Sequence, residues 1–217
     1  MKNNYLKRKL LLFTSCVAFS FIILFPKPIL SQQVDATTFK NFEDWCKNKD
    51  SLNGEVTHTI NVLLTKVRTS DCKIASEKLS GTWFIDLSHS EIISLLPLSS
   101  FTNLTKLNLT KNKIVDIKPL EKLTKLTSLG ISDNLISDIS PLRNMKDLTS
   151  LSANRNQISD VSPLQTLTKL HYLALNDNKI QDVLSLQLLN RLSIASFRRN
   201  PIINKTCPVP QTQICAF

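Results

Sequence analysis

The chain has 217 residues, 42% of them hydrophobic and 20% charged. That composition is globular, and the length suits one ordinary domain or a small domain joined to a repeat array. The net charge of +10 overstates the basicity: residues 1–31 hold Lys2, Lys7, Arg8, Lys9 and Lys27 and no acid, so without them 22 basic residues face 17 acidic ones. An excess of that size does not argue for nucleic acid.

The amino terminus reads as an export signal. Basic residues from Lys2 to Lys9 precede a 16-residue apolar run from Leu10 to Phe25, which Pro26, Lys27 and Pro28 end. A membrane-spanning helix wants roughly 20 residues, so a cleavable signal over residues 1–31, processed after Ser31, is the expectation. An uncleaved anchor and lipidation at Cys16 are the alternatives, the second with too short an apolar stretch before the cysteine. The other four cysteines, Cys46, Cys72, Cys207 and Cys215, allow three pairings but fall as two pairs at opposite ends of the chain. No Cys-x-x-Cys is present, and no histidine stands at zinc-ligand spacing from a cysteine. Disulfides Cys46–Cys72 and Cys207–Cys215, formed in an oxidising compartment, are expected.

Residues 32–79 read as a helical cap. Phe39, Phe42 and Cys46 share one helical face, with Thr38 as the N-cap; Val56, Ile60, Leu63 and Val67 share another, after a turn at Asn53-Gly54. Cys72, Ala75 and Leu79 form a third, shorter stripe. Trp45 and Trp83 are assigned to packing in or near this cap.

From Ser80 the sequence repeats every 22 residues. The clearest blocks begin at Thr102, Thr124, Lys146 and Thr168, a degenerate one precedes them and a last one starts at Asn190. Six coils thus span 80–205. Leu107 and Leu109, and their equivalents at the sixth and eighth positions of each block, have strand spacing and point to one face. Ile92, Ile114, Ile136, Ile158, Ile180 and Ile202 come from the return half of the coils. One coil cannot bury its own apolar side, whereas a stack can. The eleventh position is Asn112, Asn134, Asn156, Asn178 and Asn200, with Ser90 in the first coil. These asparagines are expected to satisfy their own turn and the backbone of the next coil. Pro97, Pro119, Pro141 and Pro163 suit the start of short helical turns. Asp116, Asp138, Asp160 and Asp182 are expected to accept bonds from turn N–H groups rather than to hold a cation.

These columns resemble the leucine-rich-repeat family, in particular its 22-residue internalin type. The marks are Leu-x-x-Leu-x-Leu-x-x-Asn-x-Ile and the return Asp138-Ile139-Ser140-Pro141-Leu142, recurring in register from Ser80 to Lys205. The resemblance implies an α/β leucine-rich-repeat solenoid with a parallel β-sheet on its concave face and a 3₁₀ or irregular convex side. It also implies a protein-binding role. Surface-attached internalins carry a wall-sorting signal; reading to Phe217 finds none, which points away from host-cell adhesion.

Residues 206–217 read as a carboxy-terminal disulfide cap, a proline-rich loop that shields the last strand edge. No motif for catalysis emerges: the three glycines are scattered, Gly-x-Ser-x-Gly and His-Glu-x-x-His are absent, and His58, His89 and His171 read as surface residues without catalytic partners. No catalytic residue, cofactor or metal is expected. The concave face is the candidate site. Its residues are Lys106, Lys111, Arg155, Tyr172, Asn176, Arg198 and Arg199, with the densest group in the carboxy-terminal half. The tenth column, running Lys111, Asp133, Arg155, Asp177, Arg199, alternates in sign and has two readings: a self-satisfied charge ladder, or part of a partner-binding patch. The function expected is a monomeric module, secreted or held in the bacterial periplasm or envelope, that binds a protein or other extracellular macromolecule. The alternative is an envelope-tethered spacer, touching membrane only through an uncleaved signal.

Overall fold

The first helix starts later than the sequence suggests. In the computed structural model, which describes residues 38–209 and 214–217, α1 spans Phe42–Lys47. Its N-cap is Asn41, not Thr38: Asn41 Oδ1 accepts from the Asp44 N–H at 3.0 Å, and Asp44 accepts in return from the Lys40 N–H at 2.9 Å. This reciprocal arrangement satisfies two otherwise orphaned donors. The export signal and its cleavage lie outside the described residues. Helix α2, Gly54–Val67, is capped by Asn53, and α3, Cys72–Ser80, by Asp71. Cys46 and Cys72 join α1 to α3, with Cα atoms 5.5 Å apart.

The cap seals the first coil by side-chain packing and by hydrogen bonds. The Phe42 and Phe101 rings lie 5.8 Å apart, and buried Thr59 donates to the Ser94 carbonyl at 2.8 Å. His58 is no bystander at the surface: its Nε2 donates to the Ser90 carbonyl at 2.7 Å, tying α2 to the coil. Trp45 is 2% exposed, as expected of a cap residue. Trp83 departs from that expectation at 59% exposed.

Six three-residue strands follow, one per coil: β1 Phe84–Asp86, β2 Lys106–Asn108, β3 Ser128–Gly130, β4 Ser150–Ser152, β5 Tyr172–Ala174 and β6 Ile194–Ser196. They pair in parallel and in chain order, each residue opposite its equivalent 22 positions on. A second hydrogen-bond ladder runs up the return half, where Lys113, Leu135, Gln157 and Lys179 donate to the carbonyls of Ile92, Ile114, Ile136 and Ile158 at 2.8–2.9 Å. Coils are thereby tied on both sides of the core. The core includes two columns beyond those read from the repeat: Leu95, Ile117, Ile139, Val161 and Val183 at the sixteenth position, and Phe101, Leu123, Met145, Leu167 and Leu189 at the twenty-second. All are at most 4% exposed, so truncating any of them leaves a cavity that neighbouring coils cannot fill.

The asparagine column works backwards along the chain. Asn134 donates from Nδ2 to its own Ile131 carbonyl and to Leu109 of the preceding coil, and its Oδ1 accepts from Ile114 of that same coil. Asn112, Asn156, Asn178 and Asn200 repeat the pattern. The preceding coil, not the next, is therefore the one stapled. Ser90 only reaches the Ser88 carbonyl in its own turn. On the convex side, Pro97, Pro119, Pro141 and Pro163 are the second residues of 3₁₀ turns. Asp116, Asp138, Asp160 and Asp182 each accept a backbone N–H two residues on, at 2.7–2.9 Å.

After the last coil the chain adds a strand the sequence did not foretell. β7, Cys215–Ala216, pairs in parallel with β6 and extends the sheet to seven strands. Cys207 bonds Cys215, and the Phe217 ring stacks on buried Phe197 at 5.7 Å. The exposed edge of β6 is thus covered by the chain's own tail, which blocks edge-to-edge association there.

Candidate functional site

The concave face is built from the outward residues of these strands and the turn that follows each. Its floor is low because the seventh position holds Asp86, Asn108, Gly130, Ser152, Ala174 and Ser196. At Gly130 a side chain would be tight: a Cβ there would stand 3.0 Å from Asn108 Oδ1 and 3.4 Å from Thr110 Oγ1, and those side chains would have to give slightly.

Tenth-position residues lie three residues beyond the strand in left-handed backbone, with φ of 53° at His89, 58° at Lys111, 56° at Asp133, 50° at Arg155, 56° at Asp177 and 57° at Arg199. The chain turns the corner there, which lets the eleventh-position asparagine point inward. Non-glycine residues adopt this region at a cost.

This geometry aligns the alternating charges. Arg155 forms a two-pronged ion pair with Asp133, and Arg199 forms one with Asp177. The bonds from Arg155 hold the Asp133 carboxyl below its ordinary range despite partial burial, and those from Arg199 do the same to Asp177. Of the two readings of this column, the geometry realises charge satisfaction for these four residues. Asp86 differs: burial works to raise its pKa, but the bonds from Ser88 and the charges of Lys66 and His89 outweigh it, and the net shift is downward.

The other residues singled out in the sequence are placed as follows. Tyr172, 38% exposed, stands on β5 beside Ile194, 54% exposed, on β6. Asn176 is half-buried and braces the turn, its Oδ1 accepting from Ser196 Oγ at 2.6 Å and from the Arg198 N–H at 2.8 Å. Arg198, Lys106 and Lys111 are exposed, and no carboxylate pairs with them among the described residues. Lys106 Nζ lies over the Trp83 ring, 5.4 Å from its centroid, and Phe84 adjoins that ring at 5.9 Å. The sequence reading assigned Trp83 to packing and missed it as a surface feature. The signal was present in the columns, because the later coils have only polar residues, Thr105, Thr127, Thr149, His171 and Ser193, where the first has Trp83.

Among the described residues no cluster of histidine, cysteine and carboxylate side chains is disposed to hold a metal, and no helix is long and apolar enough to cross a membrane. The concavities are open ones. One of about 620 Å³ lies between α2 and the first coil and includes His58, Lys66, Arg68 and Ser90 in its lining.

Comparison with known proteins agrees with this architecture. A profile described as leucine-rich repeats (two copies) matches residues 102–144 and 146–190. No curated protein matches the chain. Among solved structures, an internalin from Listeria monocytogenes aligns with a TM-score of 0.55 at 27% identity, over 69% of this chain and 51% of the internalin. A leucine-rich-repeat protein from Leptospira interrogans gives 0.56 at 21% identity, over 64% of this chain and 36% of its own, a likeness of fold alone. The chain therefore spans about half the length of the first and about a third of the second.

Fold and repeat together define a leucine-rich-repeat solenoid, a class of protein–protein interaction module whose curved sheet offers an extended binding surface. Within that class, the chain is similar to a bacterial internalin.

Proposed function

We propose that this is an exported, non-enzymatic binding protein that holds another extracellular protein against its concave sheet. The observation that carries the reading is the division of labour between the faces. Convex side chains are committed to repeating turns, with each aspartate already bonded to its own backbone. The concave face instead combines a low floor with exposed aromatic residues and cations that no carboxylate engages, the residue types enriched at binding hot spots. Six strands at about 4.8 Å spacing give a face about 24 Å long, compatible with a standard interface of roughly 800 Å² per partner. Two disulfides fit an oxidising compartment.

The test is to raise the floor. Ser150 lies at the middle of the fifth-position row, half-buried. Ser150→Arg is expected to abolish capture of the extracellular partner while leaving the melting temperature within a few degrees. Undiminished capture by this variant, folded, refutes the concave-face reading.

A further inference from the structure

We propose that the amino-terminal end of the concave face, at Trp83, Phe84 and Lys106, is the anchor for an acidic polypeptide that presents an apolar side chain among its carboxylates. The proposal rests on the concave-face reading and adds to it a position and a partner chemistry.

Position follows from where large apolar surface is left uncovered. Trp83 is 59% and Phe84 43% exposed, with ring centroids 5.9 Å apart and tilted by 38°. Aromatic side chains carry large buriable areas, and two side by side at the rim of a concave sheet make one contiguous apolar step. The cap helices do not cover it, although α2 comes close enough for Lys66 to act on Asp86. The equivalent site in the next three coils is threonine, whose hydroxyl donates to the carbonyl of the coil before it, at 2.9–3.1 Å. The fifth and sixth coils carry His171 and Ser193 there, and the first carries an exposed indole.

Partner chemistry follows from the charges. Lys106 stands opposite Phe84 in the sheet register and is held over the Trp83 ring, so a cation and two apolar rings converge on one spot. Lys111 follows at the next turn, unpaired, and Lys66 approaches from the cap. Asp86, beside them, keeps its charge and offsets Lys66, and Asp133, which faces Lys111, is engaged by Arg155, so Lys106 and Lys111 are left in excess. Further along, Arg155 and Arg199 are neutralised by Asp133 and Asp177. The uncompensated field of the concave face is therefore positive at its amino-terminal end, and a surface of opposite sign is steered and retained there. A cation already poised over an indole loses little freedom when a carboxylate meets it. The few unpaired cations form no continuous stripe of the kind that tracks a phosphate backbone, which favours a polypeptide over a nucleic acid.

The test uses the intrinsic fluorescence of the full chain, in which Trp83 is exposed and Trp45 buried. The probe is an end-blocked heptapeptide, Asp-Glu-Glu-Phe-Glu-Asp-Glu, compared with a version carrying lysine at every acidic position and with single-stranded DNA. The acidic peptide is expected to shift the Trp83 emission to the blue, saturably and less so at high salt. Trp83→Leu should remove that signal. Lys106→Gln should weaken binding by at least about fivefold, Lys106→Arg should restore it, and convex Lys118→Gln should leave it within about twofold. No saturable response up to about 1 mM peptide, equal binding of the basic peptide, tighter binding of DNA, or an unaffected Lys106→Gln each overturns the proposal. Its failure is separable from that of the concave-face reading. If Ser150→Arg abolishes capture of the extracellular partner while Trp83→Leu and Lys106→Gln do not, this anchor is wrong and the face is right. If none of the three affects capture, both are wrong.

Discussion

Asn134 and Ile114 sit 20 residues apart in sequence and in successive coils, yet the side-chain oxygen of the first accepts the backbone N–H of the second at 3.0 Å. With its amide donating to Leu109, Ile131 and Ser132 carbonyls, Asn134 serves two coils from a position 6% exposed. Asn134→Ala leaves these groups buried without a partner and is expected to cost roughly 1–3 kcal/mol. Asn103, whose side chain meets only exposed Lys125, should cost under about 0.5 kcal/mol when changed to alanine. Urea unfolding of both variants checks this; equal losses mean that the eleventh column is not the staple.

The disulfides should differ in worth. Cys46–Cys72 closes 26 residues and Cys207–Cys215 only 8, which in the chain-entropy account correspond to about 3–4 and about 2–3 kcal/mol. The Cys46→Ser/Cys72→Ser pair is expected to loosen the whole cap. The Cys207→Ser/Cys215→Ser pair should free β7 and speed amide exchange at Phe197, whose N–H bonds Ala216 at 2.7 Å. Unchanged exchange at Phe197 contradicts the edge-sealing role of the tail.

Left-handed backbone at Lys111 gives a third test, because its side chain has no ion pair to lose. Lys111→Asn suits φ of 58° and should be neutral or stabilising, whereas branched Lys111→Val should cost about 1–2 kcal/mol. Thermal melts decide; a well-tolerated valine removes the conformational argument for the whole column.

Much of this molecule is legible in its columns because a repeat states each position several times over. Leu107 and Leu109 read as one strand face, and Asp138 as a turn acceptor, since each recurs every 22 residues. What occurs once is harder to read. Thr38 and Asn41 are both good caps, and the reciprocal bonds, Asp44 N–H to Asn41 and Lys40 N–H to Asp44, select Asn41. Strand β7 has two residues, too few for any alternation, and exists because β6 offers it an edge. Trp83 reads as core by hydrophobicity, but its column lies at the rim. On the concave face the alternating charges were visible, while their pairing depends on turns that bring Arg155 onto Asp133.

That pairing has a pH signature. Bonds from Arg155 hold the folded-state pKa of Asp133 below its ordinary 3.8. The pair's contribution is therefore full above that value and is lost as pH falls through the lowered folded pKa. Arg155 is largely exposed and Asp133 only partly buried, so solvent screening keeps the contribution under about 1 kcal/mol. Arg155→Gln is expected to raise the Asp133 titration towards its ordinary value, read by NMR of the side-chain carboxyl. An unmoved titration means the pair does not persist in solution.

The last prediction separates the two faces by ordinary substitutions. Tyr172 projects from β5 over the low floor, and Arg198 lies exposed in the turn after β6. Neither side chain bonds another coil, so removing either should not disturb the stack. Tyr172→Ala and Arg198→Ala are each expected to weaken partner binding at least about tenfold, near 1.4 kcal/mol, with the melting temperature little changed. Convex Lys118→Ala and Gln165→Ala should leave affinity and melting alone, because the turns that carry them are held by Asp116, Asp160 and the prolines rather than by these side chains. Binding measured on all four, with the captured partner as ligand, decides between the faces. Loss on the convex side with Tyr172→Ala silent would place recognition on the 3₁₀ turns, and the concave charges would then be no more than a ladder that satisfies itself.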